Sequence, residues 1–418
     1  MFSRLFAHLE APAERPPRLT QAASDFGLLY AANGLVSWLF AVSAPVAIVL
    51  AVGSDGRLRE DEIASWIFAV FFLNGALTVV MSWLYRQPLV LLWTIPGAVL
   101  VGQALGHLSF PQIVGAYYAT GVLMFVLGAT GLVRRAMGLL PMPIVMGMVA
   151  GVFLRFGLDL VRAILTDTAI AGPMAAAFLV LSAVPQLGRR CPPVIGTLAA
   201  GALATVVLSR YDASAPLTLE FIRPTVTAPA WSLAAMVELV VPLAITVLAV
   251  QNGQGIAVLR STGHPAPPIN AITLVCGIGS VVTAVFGGIS TCLTGAANAI
   301  AAASGKPRRH YTAAMVVGAL SMVFGALAPT FTRLLLSAPK SLVTALSGLA
   351  MLRVLQAAFV AAFKERFALG ALTAFLVTTA DIAVMNVGAA FWGLVAGAAV
   401  SWLLERGDFE GTDIAVQP

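Results

Sequence analysis

Fourteen apolar stretches, spread from residue 26 to residue 404 and parted by short polar connections, leave this chain one environment in which to fold. They lie at about 26–50, 64–84, 88–106, 111–133, 142–165, 170–186, 192–208, 232–259, 266–286, 289–304, 311–332, 340–362, 367–387 and 389–404. A helical crossing of a bilayer needs about 20 apolar residues, so the pattern reads as an all-α polytopic membrane protein with 14 transmembrane segments. Composition agrees: 59% of the 418 residues are hydrophobic and 10% are charged, too few to cover a soluble surface. Residues 1–25 carry Arg4, Glu10, Glu14, Arg15 and Arg18 among three prolines and lack the apolar core of a secretory signal. They predict a cytoplasmic tail, and residues 405–418 predict a second. Cys191, Cys276 and Cys292 show no CxxC spacing and support neither a disulfide framework nor a zinc site.

Basic residues set the orientation. With the amino terminus inside, fifteen of the 24 Lys and Arg fall on the cytoplasmic side and seven outside, while Arg155 and Arg353 lie within segments. The longest polar connection, 209–231, divides the segments into seven and seven, and a repeat with an odd number of crossings inserts upside down relative to its twin. Two echoes support that division. Leu92 to Leu100 resembles Thr291 to Asn298, and Gly151 to Arg155 resembles Gly348 to Arg353.

The third segment cannot run unbroken through Trp93-Thr94-Ile95-Pro96-Gly97-Ala98, because Pro96 removes a donor and holds Ile95 extended. A half-helix then starts in mid-membrane, with unpaired amides and the positive end of its dipole at the break. Such an end seats anions. Thr294-Gly295-Ala296, followed by Asn298, repeats the device in the tenth segment, so two half-helix starts are expected to hold one carboxylate. The competing reading is a kinked helix with no ligand. Gln251-Asn252-Gly253-Gln254-Gly255 places three carboxamides in the eighth segment, where they need either a cavity or a neighbouring helix as partner.

Charge inside a membrane segment is costly and marks function by default. Arg155 and Asp159, spaced i,i+4, predict a local pair. Glu238 is expected near the outer end of the eighth segment as a vestibule residue, and Asp381 about two turns inside the outer end of the thirteenth. These two are the candidates for proton coupling. His8, His107, His264 and His310 fall in tails or loops, and there is no metal-ligand spacing and no P-loop. No metal, no cofactor and no nucleic acid is therefore predicted.

The runs Trp93 to Ala98, Leu154 to Asp159, Gln251-Asn252 with Gly255 to Arg260, Phe286-Gly287-Gly288 and Phe391 to Gly397 together resemble the benzoate:proton symporter family, the benzoate membrane transport proteins. The resemblance covers about Ser65 to Leu404. It implies the fold of nucleobase and anion transporters, with inverted seven-segment repeats at 26–208 and 232–404 whose broken third and tenth segments pair a short strand with a half-helix. It also implies a core domain from 26–133 and 232–332, a gate domain from 142–208 and 340–404, and a substrate between them. On that pattern the substrate contacts come from Trp93, Thr94, Pro96, Gly97 and Ala98, from Gln251, Asn252 and Gln254, from Thr294, Gly295, Ala296 and Asn298, and from Tyr30 and Asn33 in the first segment. Arg155, Asp159 and Arg353 fall in the gate. The chain departs from the family at Tyr30 to Trp38, where a Gly-Tyr-Thr-Ser-Ser-like run is usual, and at Ser290 to Thr294, where an Asn-Leu-containing run is usual. Related nucleobase carriers place carboxylates where this chain has Gln251, Asn252, Ala296 and Asn298, so their proton site does not carry over.

These readings predict a secondary transporter, not an enzyme, that takes up benzoate or a similar small aromatic carboxylate with protons by an elevator or rocking mechanism. Its partners are the anion, protons and the lipid of a bacterial inner membrane, with both termini cytoplasmic, and a homodimer is compatible with the sequence. The alternative within the class is transport or exchange of another organic or inorganic anion or a nucleobase. An anion channel would need fixed positive charge along its pore, which Arg155 and Arg353 alone could supply. An enzyme would need a nucleophile and a base at membrane depth, and none is placed there.

Overall fold

The computed structural model describes residues 8–137, 141–191, 193–210, 218–303, 305–364, 366–382, 384 and 389–410. Parts of the expected tails and linker, at 1–7, 211–217 and 411–418, lie outside the described residues. In chain order the main elements are α1 (Leu28–Asp55), α2 (Glu60–Tyr85), β1 (Leu91–Trp93), α3 (Ile95–Ala104), α4 (Phe110–Thr130), α5 (Met142–Thr166), α6 (Thr168–Ala183), α7 (Pro193–Val207), α8 (Leu233–Ser261), α9 (Ile269–Ala284), β2 (Thr291–Leu293), α10 (Gly295–Ala301), α11 (His310–Ala326), α12 (Lys340–Ala362), α13 (Ala368–Ala380) and α14 (Ala389–Leu404).

Among the described residues, six helices are long and apolar enough to cross a membrane: α1, α2, α4, α5, α8 and α12. A seventh span results if Pro307–Ala326 and Ala328–Leu334, bent by 74°, count as one. Six shorter apolar helices, among them α3, accompany them. Packing falls into two groups. In one, α4 lies along α9 and α11 lies along α1 and α2, while in the other α5 lies along α12 and α13, α13 along α14, and α6 along α7. The two groups meet chiefly where α1 crosses α12.

At the centre β1 and β2 pair antiparallel, Leu91 opposite Leu293, Leu92 opposite Cys292 and Trp93 opposite Thr291. A strand pair in a membrane interior has two open edges, and each unsatisfied backbone group there costs several kcal/mol. Side chains of the flanking helices close both edges. On the β1 side, the α2 residues Asn74 and Thr78 donate to the carbonyls of Leu92 (2.9 Å) and Leu91 (2.8 Å), and the Leu91 N–H donates to Thr78 Oγ1 (2.9 Å). On the β2 side, Asn252 Oδ1 accepts from the Leu293 N–H (2.7 Å), and Ser280 Oγ accepts from the Thr291 N–H (3.0 Å). Asn298 Oδ1 accepts from the Val90 N–H (2.9 Å), and Thr291 Oγ1 donates to Asn74 Oδ1 (2.8 Å), which ties the two edges together.

The faces of the bundle differ. Across one, the tail face, residues 8–26 are strapped down: the Glu10 carboxylate accepts from the Asn270 and Ala271 amides at the start of α9 (3.1 Å), and Arg86 donates to Glu14 (2.9 Å) and Asp25 (3.1 Å). Across the other, the linker face, the connection before α8 is held by Ala230 N–H to Pro111 O (2.8 Å) and Thr227 N–H to Val285 O (2.9 Å). His310, expected in a loop, opens α11 and is buried, because the turn Pro307–Arg309 folds it inward.

Asn74→Ala should remove the second hydrogen bond to the Leu92 carbonyl, which also faces Cys292 in the strand ladder, and leave the buried Thr291 hydroxyl without its Asn74 acceptor, at a cost of about 1–3 kcal/mol. The thermal unfolding midpoint of the purified protein in detergent is expected to fall, whereas Gln254→Ala, at an exposed position, should leave it close to wild type.

Candidate functional site

The two half-helix starts sit on either side of the strand pair, and α3 and α10 leave it toward opposite faces. The end of α3 approaches Gly56 beyond the far end of α1, whereas the chain after α10 reaches Tyr30 on the tail face. The two starts are finished differently. Thr94 Oγ1 accepts from the Gly97 N–H (3.1 Å) and donates to Thr246 Oγ1 (3.0 Å), which in turn donates to the Leu243 carbonyl (2.8 Å). Pro96 has no N–H, and the Ala98 N–H bonds to the Thr94 carbonyl (3.0 Å). The start of α3 is therefore largely capped from within.

At α10 the equivalent threonine turns away: Thr294 Oγ1 donates back to the Val90 carbonyl (2.9 Å) and caps nothing. Asn298 N–H makes the first helical bond, to Thr294 O (3.1 Å), so among the described residues Gly295, Ala296 and Ala297 have N–H groups with no protein acceptor. Amides in the first turn of a helix point along its axis at whatever lies before it. A cavity of about 80 Å³ lies there, several times the roughly 10–15 Å³ that one water requires. Phe40, Trp93, Phe153 and Met351 supply apolar wall, Pro96 and Ala296 mark the two half-helix starts, and Gln251, Gln254 and Thr294 bring polar groups. No charged side chain lines it. Gln251 and Asn252 lie in a π-helical turn, Thr246–Asn252, of the kind that recurs at functional sites.

Of the residues singled out in the sequence, Trp93, Pro96, Gln251, Gln254, Thr294 and Ala296 line this cavity. Thr94, Gly97 and Ala98 form the cap behind its wall, Asn252 is committed to the β2 backbone and Asn298 to the Val90 amide just before β1, and Gly295 packs on Gln254, whose Cβ would stand 2.6 Å from an added methyl. Tyr30 and Asn33 lie nearer the tail face than the cavity wall of α1, which comes from Phe40, Ala41 and Pro45. The Tyr30 hydroxyl accepts from the Lys306 N–H (2.9 Å), and Arg309 stacks over its ring at 4.7 Å. Pro45, inside α1, is the sequence signal that points to this stretch of the helix.

Arg353 borders a second, larger cavity with Val36, Phe178, Ile300 and again Phe40, whose ring thus belongs to the walls of both. Arg155 approaches Asp159 at 3.8 Å, but Arg162 holds that carboxylate more closely at 2.9 Å, and both arginines are exposed, which makes the pairs weak. Asp381 is not two turns inside a helix. The helix α13 stops at Ala380, and Asp381 caps its end in left-handed geometry (φ 52°), exposed. Glu238 is buried at 4% exposure and meets His107 at 2.8 Å.

A family model described as benzoate membrane transport protein matches residues 24–403. The chain is 28% identical over 373 residues to Inner membrane protein YdcO of Escherichia coli (strain K12), covering 87% of this chain and 93% of that one. It is 26% identical over 389 residues to the benzoate membrane transport protein of Acinetobacter baylyi, covering 91% and 96%. Among solved structures it is similar to the transmembrane domain of the cyanobacterial bicarbonate transporter BicA (TM-score 0.58, 14% identity, 89% and 98% covered) and to murine Slc26a9 in an inward-facing state (TM-score 0.65, 14% identity, 92% and 69% covered). Another SLC26A9 structure matches with TM-score 0.60 at 13% identity, and the chain spans 64% of its length. At such identities the likeness is one of fold.

Burial separates the cavity wall from the cap behind it. On a Cys191→Ser background, where Cys276 and Cys292 are wholly buried, Gln254→Cys should react with a small methanethiosulfonate and Thr94→Cys should not. Equal labelling of the two would contradict the described cavity.

Proposed function

Since the chain belongs to the benzoate membrane transport protein family, we propose that it takes up benzoate or a similar small aromatic carboxylate together with protons across a bacterial inner membrane. One juxtaposition carries the reading: the uncapped amides of Gly295, Ala296 and Ala297 open onto a cavity walled by Phe40, Trp93, Phe153 and Met351. Main-chain amides at a helix start accept a carboxylate, and the apolar wall takes the ring, with Gln251 and Gln254 as further donors. Bicarbonate or sulfate would gain nothing from that wall. The names of the two curated relatives agree with a carboxylate cargo and an inner-membrane site.

Coupling to protons follows from charge. Carrying one uncompensated anion inward against 100 mV costs about 2.3 kcal/mol, and a companion proton removes that cost. In this reading the group α1–α4 with α8–α11 is the core that carries the seat, and α5–α7 with α12–α14 is the gate against which it moves as an elevator or by rocking. The fourteen segments then form inverted repeats at 26–208 and 232–404, and the tail face with its basic residues is cytoplasmic.

Proteoliposomes offered benzoate, uracil, sulfate and bicarbonate, with and without an imposed pH gradient, test this directly. Benzoate is expected to accumulate when the outside is acid. Transport of bicarbonate or sulfate with benzoate ignored would contradict the reading.

Gly295→Val would drive a branched side chain into Gln254 at the seat. Benzoate affinity of the purified variant should fall by at least about tenfold, roughly 1.4 kcal/mol. Gly157→Ala, whose new methyl meets only Leu355 at 3.4 Å, should bind normally.

A further inference from the structure

We propose that His107 and Glu238 form the site that takes up the transported proton, an inference that rests on the proton-symport reading above. Glu238 is the one acidic side chain among the described residues that is buried, at 4% exposure, and its Oε2 lies 2.8 Å from His107 Nε2. A buried carboxylate in a membrane helix is costly and marks function by default. It lies in a second π-helical turn of α8, Met236–Val240. The elements packed against that turn, α4 and α14, bring Tyr117 and Tyr118 of α4 and no charged side chain. The His107 ring is 23% exposed toward the linker face, which gives the pair a route to solution.

Its placement links it to the seat in two ways. His107 follows the last turn of α3, where its N–H bonds to the Ala104 carbonyl (3.1 Å). One helix of about 15 Å therefore starts at the anion cavity and ends at the imidazole, and its dipole favours negative charge at the first end and positive charge at the second. Along α8, Glu238 is followed by Thr246, which is hydroxyl-bonded to Thr94 at the cap of α3, and then by Gln251 at the cavity. The turn that holds Glu238 also packs on α14, so the pair stands where the two helix groups meet.

The charge balance is simple. With one shared proton the pair is neutral, whether as carboxylate with imidazolium or as acid with imidazole, and without it the pair carries one negative charge. The proton comes from water at the linker face and leaves with the anion at the tail face, so no bond other than N–H or O–H forms or breaks. Neutralising the buried pair removes the charge that opposes closure of the core against α14.

The test uses reconstituted full-length protein with benzoate as probe. Under an inward acid gradient, Glu238→Gln should lose gradient-driven accumulation by about tenfold or more, within the range of ordinary coupling energies, while exchange of preloaded for external benzoate continues. His107→Gln should move the pH profile of accumulation by about one pH unit. If wild type ignores the gradient, the symport reading falls and this site with it. If wild type responds and both variants respond equally, symport stands and the proposed site is wrong. Should Glu238→Gln fail to insert or exchange, the His107→Gln profile decides, and an unmoved profile overturns the proposal.

Discussion

Two three-residue strands crossing inside a membrane are the feature on which the rest of this structure depends. A helix satisfies its own backbone, whereas an isolated strand pair leaves both outer edges open in a medium that offers no water. Asn74, Thr78, Asn252, Ser280 and Asn298 meet that demand, each from an element packed against the pair. Once the edges are closed, the chain must leave each strand as a helix, and the start of that helix is fixed at mid-bundle. The cavity is a geometric consequence of the crossing.

The two helix starts then divide their tasks. Thr94 caps α3 and passes the hydrogen bond on to Thr246 and Leu243, a chain of aligned hydroxyls that locks α3 to α8. Thr294 spends its hydroxyl on Val90 and leaves the α10 amides open. In the proposed function such a one-sided seat would use main-chain donors that keep their charge distribution at any pH, which would leave titration to a separate place. The pairing of His107 with Glu238, at the far end of α3, fits that separation.

Much of this was legible in the residues. Pro96 marks the break in the third segment, although the helix starts ahead of it, with Ile95 helical and not extended and Thr94 as the cap, and the Gly295-Ala296 echo marks the second break without any proline. The six cavity residues that were anticipated come from those breaks and from the Gln251 to Gln254 cluster. What could not be read is which polar groups serve backbone and which face the cavity. Asn252 and Asn298 have the same type and depth as Gln251, yet their oxygens hold the amides of Leu293 in β2 and of Val90 just before β1, and only the position of the strands tells them apart. Asn74 and Thr78 carry no signal of their own in the sequence, because their partners lie on a strand and not on their own helix. His107 looked like a loop residue because nothing local reveals that the end of α3 meets α8.

The central claim is that a carboxylate is held by main-chain amides at the start of α10. It is tested most directly by an experimental structure of the protein with 4-bromobenzoate, in which the anomalous signal of bromine fixes the direction of the ring. The carboxylate is expected within hydrogen-bond distance, about 2.7–3.2 Å, of the Gly295, Ala296 or Ala297 nitrogen, with bromine toward Phe40 and Phe153. A carboxylate bound instead to the guanidinium of Arg353 or Arg155, with the α10 amides unused, would contradict the account.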